Sequence, residues 1–311
     1  MAFRGWEKLP LRIESGETVE AVAPVIVSAS RATDIPAFQA EWFMARLRAG
    51  YAKWRNPFNP RQTQYVSFRK TRAVIFWSKN PAPLLPCLPE IEAMGLNYYF
   101  QFTLNDYEAE GLEPCLPPLA ERVETFRRLA DRIGPERVIW RFDPLVLTER
   151  LTADLLLDRI SRLAGLLCGC TRKLVISFAD IQRYRAVQRR LSRHCAGVRE
   201  FTPEEMIAFA ARLVDLSGAW GVELATCAEA VELAGIAHNC CIDDRLLAQC
   251  FGGDAELMAF LGCGALFPGK ASSRSALKDQ GQRKACRCIA SKDIGAYGTC
   301  GHDCLYCYAC R

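Results

Sequence analysis

The sequence predicts an α/β protein built on a parallel sheet. Three observations predict it. Six short apolar runs recur along the chain, amphipathic helical segments fill the gaps between them, and capping or stop residues bound several of those helices. Runs this short and this apolar suit strands buried on both faces.

The first run is "APVIVSAS" at 23–30, rich in β-branched residues. "RAVIFWS" follows at 72–78, "NYYFQFTL" at 97–104 and "RVIWRFDP" at 137–144. "KLVISFAD" at 173–180 and "GVELATC" at 221–227 complete the set. Between the first two runs, Phe38, Trp42, Phe43 and Leu47 share a helical face over 36–49, with Gly50 as the stop. Over 118–133, Leu119, Val123, Phe126, Leu129 and Ile133 recur at helical spacing before Gly134. A Leu-rich helix is expected over 152–167, after Thr152. At "TPEE", Thr202, Pro203 and Glu205 spell a capping box, and Met206, Phe209, Leu213 and Leu216 line the helix that follows. Alternation of this kind gives six β-α units, which either close partly into a barrel or lie open and doubly wound. We expect a core over 1–265 and a cysteine-rich segment over 266–311, where the composition turns polar and basic and periodicity ends.

The chain has 311 residues, half of them hydrophobic, and a formal net charge of +5. That balance permits an anionic substrate without requiring nucleic acid. The N-terminus carries no apolar run of a signal peptide, and no stretch approaches a membrane span. A cytoplasmic protein with no membrane partner is therefore expected. Disulfides are rare in that compartment, so sixteen cysteines point to metal or redox use for some of them. Cys87, Cys115, Cys168, Cys170, Cys195, Cys250 and Cys263 are read instead as isolated or small apolar residues.

Two cysteine groups remain. Cys300, Cys304 and Cys307 are spaced C-x3-C-x2-C, close enough to converge on one metal centre, with Cys310 or His302 as a possible fourth ligand. A [4Fe–4S] cubane usually takes four cysteines, and one held by three leaves an iron open. Cys227, Cys240 or Cys241, Cys286 and Cys288 form the second group. Cys227, Cys241, Cys286 and Cys288 make four ligands for an auxiliary [4Fe–4S] cluster, for a structural zinc, or for no metal.

C-x3-C-x2-C with aromatic Tyr306 before the last Cys resembles the signature of radical S-adenosylmethionine (SAM) enzymes. The resemblance implies a partial (β/α)6 barrel. It implies a [4Fe–4S] cluster on Cys300, Cys304 and Cys307 that binds SAM at its open iron, with Tyr306 near the adenine. One-electron reduction, by an external donor such as flavodoxin or ferredoxin, would give a 5′-deoxyadenosyl radical in an oxygen-sensitive enzyme. The segments "VSASRATDIPAF", "FWSKNP", "FQFTLNDY", "RFDP" and the cysteine-rich end resemble the DUF1848 proteins over most of the chain. "FWSKNP" and "CLYCYA" resemble the spore photoproduct lyase branch more loosely. One departure matters. Most radical SAM enzymes carry the motif after the first strand, where this chain has "SRATDIP" without a cysteine. The tail must therefore return to that strand, and the roughly 70 residues after Cys227 reach easily at about 3.3 Å each.

Polar residues at the strand ends are the expected cofactor contacts, because sites in parallel sheets collect there. They are Ser30 and Arg31; Ser78, Lys79 and Asn80; Gln101; Arg141 and Asp143; and Ser177. Arg141 is read either as the SAM carboxylate ligand or as half of a buried ion pair with Asp143. Asn80 before Pro81 is also a plain turn signal. The basic stretch 183–199 is read first as a solvated helix face, and nucleic acid stays open as a substrate. The alternative to the enzyme is a zinc-stabilised nucleic-acid-binding module.

Overall fold

A computed structural model describes residues 3–57, 59, 61–263 and 277–310. The expected boundary at 265/266 lies outside the described residues. A four-stranded sheet opens the chain, from β1 (Glu7–Arg12) and β2 (Thr18–Ala23). Then come β3 (Ile26–Ala29), α1 (Ile35–Phe38) and α2 (Ala40–Ala49). The strands β4 (Tyr51–Arg55) and β5 (Thr63–Ser67) return to the first sheet, in the order β1-β2-β5-β4. The sequence reading missed this sheet. Its burial is mixed rather than continuous, so no apolar run marks it.

The remaining elements build the main sheet. They are β6 (Ala73–Ser78), α3 (Leu88–Ala93), β7 (Asn97–Thr103), α4 (Leu119–Ile133), β8 (Val138–Leu145) and α5 (Ala153–Leu166). After these come β9 (Lys173–Phe178), α6 (Arg185–His194), α7 (Pro203–Ser217) and β10 (Glu223–Thr226). The chain ends with β11 (Ala237–His238), α8 (Asp244–Phe251), α9 (Ala255–Leu261) and β12 (Lys292–Asp293). Eight strands pair in the order β11-β10-β9-β8-β7-β6-β3-β12. Every pairing in this sheet is parallel. All six expected strands are present. The two added edge strands have two residues each, too few for a periodic signal. The edge strands β11 and β12 do not pair with each other, so no closed barrel forms among the described residues.

Alternation along each strand divides the core. Val74, Phe76, Phe100 and Phe102 face one way and pack with Phe43 of α2, Phe126 of α4, Leu163 of α5 and Leu213 of α7. Ala73, Ile75, Tyr99, Ile139 and Val175 face the other way, under Leu247, Leu257 and Ile289. From β3 to β11 the strands add in sequence order, and α2, α4, α5, α6 and α7 pack on one face. The expected helix over 36–49 breaks at Gln39, whose φ of −135° is not helical. Gly50 ends it in the left-handed conformation that glycine adopts without strain, at φ 78°.

The expected capping box at α7 is formed. Thr202 accepts from the Glu205 amide, and Glu205 accepts from the Thr202 amide. Thr202→Ala should therefore cost about 1 kcal/mol in urea unfolding. The Glu205 carboxyl is held down to about 2 by Arg199 and the Thr202 amide. Its share of that stability is present above the unfolded value of about 4.3 and fades as pH falls from there toward 2.

Candidate functional site: a cysteine-lined cavity at the strand ends

The C-terminal segment is stitched to the carboxyl end of the first parallel strand. Lys292 and Asp293 pair with Val27 and Ser28. The Asp293 carboxylate accepts from Ser30 Oγ at 2.7 Å, from the Arg31 amide at 2.8 Å and from the Gly295 amide at 2.8 Å. A Cβ on Gly295 would stand 2.0 Å from Ser30 Oγ, so only glycine permits this approach. Asp34, the N-cap of α1, gathers the next contacts. It accepts from the Ala37 amide, from Ser78 Oγ at 2.8 Å and from the Lys79 amide at 2.7 Å. Its second oxygen lies 2.8 Å from His302 Nε2. Asp34 thus ties the first two strand-end loops to the loop that carries Cys300 and Cys304.

These contacts enclose a cavity of about 370 Å³. Cys300, Cys304, Cys307 and Cys310 line one part of its wall, and Cys227, Cys241, Cys286 and Cys288 line another. Ser30, Arg31, Ser78, Lys79, Arg141, Asp143, Ser177 and Tyr306 complete the expected set on the wall. Gln101 and Asn80 are not part of it. Gln101 is buried beneath, donating to the Cys241 carbonyl and accepting from Arg141. Asn80 closes its own turn by accepting from the Ala82 amide.

The second cysteine group is compact. Cys227 Sγ lies 3.5 Å from Cys241 Sγ, and Cys288 Sγ accepts from the Cys241 and Ile242 amides. Of the two neighbours, Cys241 lines the cavity, while Cys240 donates to the Arg287 carbonyl at 3.2 Å. None of the sixteen cysteines is in a disulfide. Of the seven read as bystanders, Cys87, Cys170, Cys195 and Cys250 pack against the cores. Cys115, Cys168 and Cys263 are exposed instead, because they sit in loops. Among the described residues, no group of three or more His, Cys, Asp or Glu side chains is arranged to hold a metal ion.

Each cysteine group faces a cation that is buried, as Arg141 is, or partly buried, as Lys79 and Arg31 are. Arg141 donates to Cys241 Sγ at 3.2 Å, to Gln101 and to Asp143, so the ion pair expected from the sequence is present, with a thiol contact added. Burial works against its charge, but Cys241, Asp143 and Cys227 outweigh it. Arg31 stacks over Trp77, 5.0 Å from the ring centroid. Burial is again outweighed, here by Cys288, Asp293, Cys241 and Asp279. Its NH2 nitrogen is buried with no hydrogen-bond partner. Lys79 lies beside Cys304. Its ammonium donates to Glu113 at 2.7 Å and to the Tyr306 hydroxyl at 2.8 Å, and Asn105 donates to the same two oxygens. Burial pushes the Cys304 thiol up to about 12, against the pull of Lys79. Cys307 is held below the usual thiol range by a hydrogen bond with Cys310 and by the Ala309 and Cys310 amides.

Ser30, Ser78 and Ser177 are engaged as donors to Asp293, Asp34 and Asp143. The sequence reading missed Glu113, Asp293 and Arg190. Glu113 lies in an aperiodic loop and Asp293 in a two-residue strand. Arg190, which donates to the Leu305 and Cys307 carbonyls, is hidden within an arginine run. No helix among the described residues is long and apolar enough to cross a membrane.

Fold and site together define an α/β protein whose open parallel sheet carries a cysteine-rich cavity at the carboxyl ends of its strands. The chain belongs to the DUF1848 family, described as a domain of unknown function, whose model matches residues 26–309. No curated protein and no solved structure matches the chain.

Proposed function

We propose that the protein is a radical SAM enzyme with two [4Fe–4S] clusters, and that the sheet is a partial (β/α)6-type barrel with extra edge strands. One observation carries the reading: seven candidate cysteine ligands line a single cavity at the strand ends, and both groups face buried or partly buried cations. Buried guanidinium and ammonium groups are costly beside neutral thiols and favourable beside thiolate ligands. The donors are soft sulfurs, which suit iron–sulfur centres or zinc. A cubane spreads its cysteines around four irons, so they stand farther apart than the ligands of one ion.

Cys300, Cys304 and Cys307 would hold the first cluster, and Cys227, Cys241, Cys286 and Cys288 the second. When bound, the first cluster supplies the electron that cleaves SAM to a 5′-deoxyadenosyl radical. The chain's own residues position and insulate. Tyr306 is fixed by Glu113, Lys79 and Asn105, so its ring forms a set wall for the adenine. The unpartnered Arg31 nitrogen is a donor for an anionic group in the cavity. Arg190 clamps the carbonyls of the ligand loop, which keeps the loop closed over the cavity. The sequential order from β3 to β11, with the crossover helices on one face and, among the described residues, only α8 and α9 on the other, suits a barrel left open.

The test is anaerobic. Reduced protein plus SAM should yield 5′-deoxyadenosine, and colourless protein carrying stoichiometric zinc would overturn the reading.

A further inference from the structure

A row of arginines on the exposed face of α6 has no use in the chemistry above. Arg185, Arg189 and Arg193 recur every four residues on α6, so they form one stripe along the helix, with steps of about 6 Å. All three are exposed, and no ion pair within the described residues engages them. Arg183 is exposed one residue before the N-cap Tyr184. The helix has no acidic residue in its first turn.

Folding does not reward this pattern. Like charges four apart on a helix repel, and Arg185 in the first turn opposes the helix dipole, although the dipole favours Arg193 in the last turn. A local arrangement that costs stability without a structural return points to a partner. The helix is held in place by other residues. Val187 and Leu191 bury its apolar face, while Arg190, on the adjoining side, grips the cysteine loop.

A cluster of aromatic rings stands at the N-terminal end of this helix, where Tyr184 lines the cavity. Tyr184 stacks on Tyr308 at 5.2 Å and 19°, and Tyr297 meets Tyr308 at 6.2 Å. Tyr308 is 47% exposed although it lines the cavity wall, so its ring is presented at the mouth. Arg183 lies over the Tyr184 ring at 5.9 Å. Nearby, Arg283 neutralises Asp180 at 2.6 Å and reaches the Tyr184 hydroxyl at 3.2 Å.

We infer that α6 and the Tyr184–Tyr308 stack form a binding track for single-stranded nucleic acid, whose phosphates lie along Arg185, Arg189 and Arg193 and whose unpaired base meets Tyr308 at the cavity mouth. Arginines along a backbone track with an exposed aromatic ring are the two elements of sequence-tolerant single-strand binding. A duplex offers no free base face to Tyr308. A membrane surface fits poorly, because an interfacial helix inserts its apolar face in lipid and α6 buries that face in the core. The inference deepens the proposed function by naming the substrate class, and it rests on that reading only in calling the bound strand a substrate.

The test is fluorescence anisotropy with a labelled mixed-sequence 20-nucleotide RNA or DNA strand and the full chain, without SAM or reductant. Binding is expected at low salt, with log K falling linearly in log salt. Arg185→Gln/Arg189→Gln/Arg193→Gln should lower the salt slope by about 2, at roughly 0.7 per phosphate contact, and weaken binding at least tenfold. Tyr308→Ala should weaken binding about 5- to 100-fold, the range of base–aromatic stacking. Arg12→Gln/Arg69→Gln/Arg128→Gln removes the same charge elsewhere and should leave binding within about twofold. Thermal unfolding of each variant separates lost contacts from lost fold. An unfolded triple variant would leave Tyr308→Ala and the salt slope of the wild type to decide. Equal losses in the two triple variants, no binding by the wild type, or binding only to phosphatidylserine vesicles or a phosphopeptide would overturn the inference. Strand binding by protein that takes up no iron on anaerobic reconstitution, and so makes no 5′-deoxyadenosine, would keep this inference and sink the radical reading. Radical formation without strand binding would do the reverse.

Discussion

Protein purified without oxygen should be brown and carry about eight irons per chain, two cubanes of four. Cys304→Ala should bring the count to about four and abolish 5′-deoxyadenosine formation. Cys304 is the most enclosed of the triplet, beside Lys79 and above the Glu113–Tyr306 network. On the proposed reading, its loss would remove both a ligand and the sulfur that Lys79 faces. Cys286→Ala/Cys288→Ala should also leave about four irons, but with SAM cleavage retained, because these residues belong to the other part of the wall. The pair of variants makes the assignment specific. If Cys304→Ala keeps full iron and full product, the triplet is not the SAM site. If Cys286→Ala/Cys288→Ala leaves eight irons, there is no second cluster on those residues. Circular dichroism should show both variants folded, since the parallel sheet is built mainly from apolar strands outside the cysteine groups.

Asp143→Ala should cost about 3–5 kcal/mol in urea unfolding of iron-free protein. Removing one member of a buried pair leaves the other charge uncompensated. Arg141 is 4% exposed and takes its main ionic contact from Asp143, which Ser177 also holds. Burial alone would raise the Asp143 carboxyl, but Arg141 and Ser177 outweigh it and keep it below the ordinary carboxylate range. The sign follows from that depression. The stabilisation is complete above the unfolded value of about 3.9 and is lost as pH falls through the lower folded value. Loading the second cluster should shrink the loss, because Arg141 also donates to Cys241, whose thiolate would then carry negative charge. A loss below about 1 kcal/mol in iron-free protein would mean that Gln101 and the thiols suffice to hold Arg141.

Some of the architecture was legible because its causes are local. Six runs were legible as strands because they are short and their apolar residues nearly continuous. The Thr202–Glu205 box was readable because its atoms belong to neighbouring residues. The Arg141–Asp143 pair was readable because alternate residues of a strand share a face. Other elements left no such mark. The four-stranded N-terminal sheet is only partly buried, so its strands alternate weakly. The helix expected over 36–49 broke at Gln39 because Asp34 caps a separate first turn there.

The candidate site divides in the same way. By itself, the sequence determined the parallel α/β core, the C-x3-C-x2-C triplet, the second set of cysteines and the polar strand ends. The core, the triplet and the strand ends follow from spacing within a few residues, and the second set, spread over 227–288, from the cysteines left over. Tertiary structure alone decided that both cysteine groups share one cavity, that Cys241 rather than Cys240 faces it, and that Glu113 and Asp34 anchor its walls. It also decided that the Asp293 carboxylate docks the tail on the first strand. Such contacts join residues far apart in the chain, as His302 does with Asp34. Their partners are selected by shape, charge and burial in the folded state, and no periodicity along the chain records that choice.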